Sequence, residues 1–255
     1  MDTSGTQAID RGLNVLELVS EAPITVRQLT ERTNLPRTTV TRLLGALERF
    51  GYVARRDDGA YHLGSRALKL AGQWHRQFGI EEAARPHLEE LVSTVQETVH
   101  VVAREGLFSV CVSCIESPRS IRLTLSVGDR APLHAGSHAK TLLAFASPKL
   151  LDAVEAAGLR ALTAETIVDP QTLREEIARI KQQGFAESFG EVDADAYGLA
   201  APVRSVAGAV VATVGASGPM DRMLPFRETA RTAVIQAAEA ISRDLGYTGV
   251  PPSTA

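Results

Sequence analysis

Cysteine is nearly missing: two residues in 255 are too few for a disulfide framework. Long apolar runs are absent too, and none approaches the roughly 18 residues of a membrane span. The first residues, Met1-Asp2-Thr3-Ser4-Gly5, lack the basic and apolar regions of a secretory leader. These absences lead us to expect a cytoplasmic protein without a membrane partner. Also missing are a glycine-rich phosphate loop and the paired glycines of a nucleophile elbow, so Ser137 and His134 make a poor hydrolase. Cys111 and Cys114 have C-x-x-C spacing but no second pair. They lie in a strand-like run, where residues three apart are expected on opposite faces and do not share a metal. No metal, cofactor or catalytic residue is expected.

What is present is an ordinary globular composition, 44% hydrophobic and 22% charged, long enough for two domains. The net charge of -3 is unevenly spread. Residues 1–72 hold ten Lys/Arg and eight Asp/Glu, a net +2; of the chain's 27 basic and 30 acidic residues, the remainder keeps 17 and 22, a net -5. That small excess says little about nucleic acid until its distribution is known.

Ile9, Leu13, Leu16 and Val19 recur at helical spacing and predict an amphipathic helix over 8–20. After Pro23, Thr25 and Gln28 form a capping-box pattern for a second helix with Val26 and Leu29 inward. Asn34 suits the left-handed residue that ends it. A third helix, about 37–49, buries Val40, Leu43, Leu44 and Leu47. Its other side presents Thr38, Thr41, Arg42, Gly45 and Arg49, with Arg37 and Thr39 at the first turn. Arginine reads guanine with two hydrogen bonds, and threonine reaches phosphate or a thymine methyl. An Asp-Gly turn then joins strands near Val53 and Tyr61, placing Arg55 and Arg56 on a hairpin. Three helices and a two-stranded wing are the order of a winged helix-turn-helix.

Helices are predicted over 65–78, with Leu68, Ala71 and Trp74/His75 on one side, and over 80–97, with Leu88, Leu91, Val92 and Val95 inward. Gly79 separates them, and Pro86 should kink the second or shift its start. Beyond 97 the period becomes strand-like, over 99–104, 108–116, 121–127, 185–192, 198–205 and 209–216. Ser147-Pro148 and Asp169-Pro170 open helices, Gly184 stops the second, and a last helix runs from Pro225 to Leu245. The fold class is α+β with a mostly antiparallel sheet.

The run Asn34-Leu35-Pro36-Arg37-Thr38-Thr39-Val40-Thr41-Arg42-Leu43-Leu44, then Leu47-Glu48-Arg49-Phe50-Gly51-Tyr52-Val53, resembles the DNA-binding domain of the IclR family of bacterial regulators. Pro132-Leu133-His134-Ala135, Lys140-Thr141-Leu142-Leu143-Ala144-Phe145 and Ser217-Gly218-Pro219 resemble its effector-binding domain, and the likeness spans about 8–246. The resemblance implies a winged helix-turn-helix over 1–66, a linker helix over 67–80, a GAF-like effector domain over 81–247 and a disordered tail over 248–255. It implies double-stranded operator DNA as partner, read by Arg37, Thr38, Thr39, Thr41, Arg42, Arg55 and Arg56. A homodimer or dimer of dimers is expected, and repression is the commoner mode.

Family ligands lie at three places, which correspond here to Gly136-Ser137-His138-Ala139, to 188–198, and to Gly215 and Ser217. The effector residues so implied are Leu123, Gly136, Ser137, His138, Ser188, Glu191, Tyr197, Gly198 and Ser217. A helix N-terminus offers N–H donors to a small organic acid, while His138 and Tyr197 lean toward an aromatic or amide-bearing ligand. His138, Ala139, Ser188 and Asp195 depart from the usual family residues. A stand-alone sensor or an esterase-like enzyme is the alternative, disfavoured by the arginines of the third helix.

Overall fold

The computed structural model describes residues 6–123 and 125–249, of which 74–78 by backbone only. It separates into two units, Met1–Phe78 and Gly79–Ala255. In the first, α1 (Gln7–Glu21) is followed by α2 (Val26–Thr33), α3 (Arg37–Arg49), strands β1 (Val53–Arg55) and β2 (Tyr61–Leu63), and α4 (Ser65–Phe78). The Thr25 hydroxyl accepts the Gln28 N–H at 3.4 Å, and Gln28 Oε1 accepts the Thr25 N–H at 2.9 Å, so the capping box is complete. Asn34 ends α2 at φ 54°. Val40 and Leu44 of α3 are fully buried, and Leu43 and Leu47 pack beside them.

The inward face of α1 differs from expectation. Val15 and Val19 enter the core, whereas Ile9 is 62% exposed and Leu13 55%. Six apolar residues between 9 and 19 wrap more than one face, and packing against α3 and β2 selects only one of them. Leu68 is likewise exposed on α4; the side chains of Trp74 and His75 lie outside the described residues. The helix expected as a linker over 67–80 begins at Ser65 and belongs to the first unit.

The second unit opens with α5 (Ile80–Val95), which runs unbroken through Pro86. Pro86 removes a bond to the carbonyl of Glu82, and both residues lie on the exposed side of the helix. Then come β3 (Thr98–Glu105), β4 (Phe108–Ile115), β5 (Arg130–Pro132), α6 (Ser137–Ala144), α7 (Pro148–Ala156), α8 (Pro170–Gln183), β6 (Ala186–Phe189), β7 (Ala196–Arg204) and β8 (Val210–Pro219). A short α9 (Met220–Met223) and a 3-10 turn (Leu224–Phe226) precede α10 (Arg227–Asp244), where one helix from Pro225 was expected. Asp169 caps α8, accepting the Thr172 N–H at 2.7 Å; Ser147 stands at the N-cap of α7 without a side-chain bond.

The sheet order is β5-β4-β3-β8-β7-β6, with every pairing antiparallel. α5 and α10 pack on one face; α6, backed by α8, packs on the other. The strand expected over 121–127 does not form among its described residues. Asp129 Oδ2 instead accepts the Ser126 N–H at 2.7 Å in a turn through Gly128, and β5 begins only at Arg130. Thr124, and residues 250–255 of the tail expected over 248–255, lie outside the described residues. The cysteine geometry also needs correction. Val102 pairs with Cys111 and His100 with Cys114 across a bulge at Val112, so both cysteines share one face. The extra residue cancels the alternation that separates positions three apart. Among the described residues, no helix is long and apolar enough to cross a membrane.

Helix α6 carries one charged residue into this packing. Lys140 is 1% exposed. Its Nζ donates to Glu191 Oε1 at 2.5 Å, Glu176 Oε1 at 3.0 Å and the Glu187 carbonyl at 3.1 Å. Burial works against ionisation of Glu176, but hydrogen bonds from Arg179 and Lys140 outweigh it and hold its pKa below the ordinary value. Removing one partner of such a group strands the other charge in a low-dielectric interior. Lys140→Met is expected to destabilise the second unit by about 3–5 kcal/mol, read as a lower guanidinium midpoint in far-UV circular dichroism. An unchanged midpoint would show that Glu191 finds other solvation.

Candidate DNA-binding face and effector pocket

The outward side of α3 follows from the inward one. With Val40 and Leu44 buried, Arg37, Thr38, Thr41 and Arg42 are exposed, while Thr39 is half-buried. No carboxylate occupies the first turn of α3, so the positive end of its dipole is open to an anion. Gly59 turns the wing at φ 84°. Arg55 lies over the Tyr61 ring, 6.0 Å from its centroid, and Arg56 pairs with Asp58 at 3.5 Å. An ion pair that exposed contributes little and yields readily to phosphate. The seven residues singled out for DNA therefore sit on one helix and one hairpin of the first unit.

In the second unit, a cavity of about 320 Å3 lies between the N-terminus of α6 and the sheet. All nine residues singled out for the effector border it, from Leu123 on the connecting loop to Ser217 on β8. The register explains the convergence. Ser188, Gly198 and Ser217 stand in one cross-strand row of β6, β7 and β8, and Thr98 of β3 extends it. Helix α6 approaches that row closely: a Cβ on Gly198 would lie 2.9 Å from Ser137 Oγ. Gly215 has the same function deeper in the sheet. Its Cβ would lie 2.8 Å from the His138 ring, so the large His138 is accommodated by the missing side chain opposite.

Three side chains do not present the groups expected of them. Tyr197 is fully buried and its hydroxyl is engaged, donating to Glu187 Oε1 at 2.5 Å. Glu191 holds Lys140, and its Oε2 accepts the Gly136 N–H at 3.1 Å, so the donor expected to meet a ligand carboxylate already has one. His138 Nδ1 is 2.9 Å from Thr213 Oγ1, and its Nε2 is buried without a hydrogen-bond partner among the described residues. The ring forms a wall of the cavity and does not aim a nitrogen into it.

His100 lies edge-on to His138, with centroids 5.7 Å apart. Burial lowers the pKa of His100 to about 4, and burial with His100 alongside holds His138 well below its ordinary value. Both rings are neutral at pH 7. Burial, with Asp129 and the neighbouring Cys114 adding to it, raises the Cys111 thiol to about 12; burial raises Cys114 to about 11. Neither is a ready nucleophile or metal ligand. Among the described residues, no three His, Cys, Asp or Glu side chains gather as a metal site. His134 Nε2 lies 2.9 Å from the Arg160 carbonyl and does not serve Ser137.

Sequence reasoning missed Val102, Ser109, Leu125 and Asp129 on the cavity border, and the role of Lys140 behind it; Val192 and Asp193 fall within the expected span 188–198 without having been singled out. A lysine inside the apolar run Ala139–Ala144 was the available signal for a buried ionic partner.

Comparison with known proteins matches both units. Residues 8–57 fit the family described as "IclR helix-turn-helix domain", and 73–243 fit "Bacterial transcriptional regulator IclR C-terminal". The HTH-type transcriptional regulator KipR of Bacillus subtilis is 30% identical over 249 residues, covering 95% of this chain and 98% of that relative. The HTH-type transcriptional repressor AllR of Escherichia coli K12 is 27% identical, covering 97% and 93%. An IclR homologue from Microbacterium hydrocarbonoxydans, solved with 4-hydroxybenzoate, superposes with a TM-score of 0.80 at 27% identity, covering 94% and 98%. The chain therefore belongs to the IclR family of bacterial transcriptional regulators, with a DNA-binding helix-turn-helix unit and an effector-binding unit.

Proposed function

We propose that this regulator is a repressor that binds operator DNA through α3 and the wing, and that a small aromatic or amide-bearing effector in the cavity under α6 alters that binding. The carrying observation is the cavity itself: serines and apolar side chains converge on a helix N-terminus that two glycines draw against the sheet. The 4-hydroxybenzoate bound by one relative and the repressor name of another support the reading. The chain works in the cytoplasm, as a homodimer or dimer of dimers, because one helix and one wing contact few bases and a palindrome multiplies specificity. The decisive experiment selects DNA from a random-sequence library with the purified chain. Enrichment of a palindrome supports the reading, and no enrichment defeats it.

Arg42→Ala is expected to weaken binding to the enriched operator by about 1–3 kcal/mol and relax specificity at one position. Fluorescence anisotropy checks this, and unchanged affinity with intact folding removes Arg42 from base readout.

Binding should also fall steeply with salt, as Arg37, Arg55 and Arg56 displace counterions. The slope of log K against log salt is about -0.9 per phosphate contacted. Replacing one of these arginines by alanine should reduce the slope by about that amount, and a flat dependence would separate the basic face from DNA.

A further inference from the structure

The charges around the cavity are one-sided. Among the described residues its border includes the carboxylates of Asp129, Glu191 and Asp193 and no lysine or arginine. Glu191 is neutralised by Lys140, and its second oxygen has the Gly136 N–H. Asp129 and Asp193 remain, both exposed at the mouth. Each accepts a local backbone N–H, Asp129 from Ser126 at 2.7 Å and Asp193 from Asp195 at 3.5 Å, and neither has an ion-pair partner among the described residues. Arg130, next in the chain to Asp129, turns away to Glu105 at 3.0 Å across the Phe108 ring.

His138, the one base on the border among the described residues, adds no positive charge. His138 Nδ1 lies 2.9 Å from the Thr213 hydroxyl oxygen, which is also 3.2 Å from the Val102 carbonyl. Burial, with His100 alongside, holds the ring neutral whichever nitrogen bears the proton. A carboxylate entering here meets two like charges, no cation, and a helix N-terminus whose Gly136 donor is already engaged. Two like charges at the mouth repel an entering carboxylate through water, at the modest strength of exposed groups. The border offers a nitrogen head group the Asp129 and Asp193 carboxylates and the hydroxyls of Ser137, Ser188 and Ser217, and Val102, Leu123, Leu125 and Ala131 supply an apolar wall for a compact body.

We infer that the effector of this chain carries a nitrogen head group with N–H donors, an amine or amide, on a compact apolar body, and that Asp129 and Asp193 select against carboxylates. The inference rests on the cavity being the effector site. It sets this chain apart from the Microbacterium relative, whose 4-hydroxybenzoate is a carboxylate.

Three probes with one ring and different heads test it: benzylamine, benzamide and benzoate, titrated into the full chain by calorimetry at neutral pH. At least one nitrogen probe should bind about tenfold or more tightly than benzoate. The paired variant Asp129→Asn/Asp193→Asn keeps both oxygen acceptors and removes both charges, and should erase most of that preference. Ser217→Leu fills the cavity from β8 and should abolish binding. If benzoate binds as tightly as the nitrogen probes, or if none binds, the head-group inference is wrong. A preference that survives the aspartate variant while Ser217→Leu still blocks binding also overturns it, but leaves the cavity as the effector site. Binding indifferent to Ser217→Leu places the ligand elsewhere and defeats the cavity reading itself.

Discussion

The second unit is organised around a single buried ammonium. Lys140 reaches α8 through Glu176, β6 through the Glu187 carbonyl, and the loop after β6 through Glu191. A charge that has left water must have every donor satisfied, so these elements cannot drift independently. Glu191 passes the constraint on to the Gly136 N–H at the start of α6. The loop is further tied by Thr166, whose hydroxyl donates to the Glu191 carbonyl at 2.7 Å, and by Thr163, which donates to the Gly190 carbonyl at 2.6 Å. One wall of the cavity is thus held by ionic and hydrogen-bonded contacts, where apolar packing alone would leave it adjustable.

The opposite wall is set by what is missing. Gly198 and Gly215 leave room for Ser137 and His138, so α6 comes closer to the sheet than side chains on β7 and β8 would allow. The neutral His100–His138 pair fills the floor beneath. A polar cluster of this kind, buried and only partly hydrogen-bonded, is costly. It lies under the cavity, next to Cys111 on the same face, and leaves three ring nitrogens of the two histidines without a partner among the described residues.

The first unit follows simpler rules. Its core is small, built on Val15, Val19, Leu29, Val40 and Leu44. That core orients α3 so that Arg37 and Arg42 stay exposed. The wing is joined to α4 at Gly64, where a Cβ would lie 2.2 Å from the Gly51 carbonyl oxygen, so the junction admits only glycine.

Much of this was readable from short stretches of chain. The capping box of Thr25 and Gln28, the left-handed Asn34, the Asp58-Gly59 turn and the stop at Gly184 each obey rules that involve only a few neighbours. The outward set on α3 was legible because one dense apolar stripe determines the opposite side. The gathering of nine cavity residues was legible through family resemblance, which carries three-dimensional information that local pattern does not. Tertiary structure alone decided the rest. It chose Val15 and Val19 over Ile9 and Leu13 on a helix with apolar residues around more than one face. It placed a bulge at Val112 that moved two cysteines to one side. It directed Tyr197 to Glu187, and Glu191 to a lysine 51 residues away. These outcomes depend on partners distant in sequence and on which face is covered, and hydrophobic periodicity records neither.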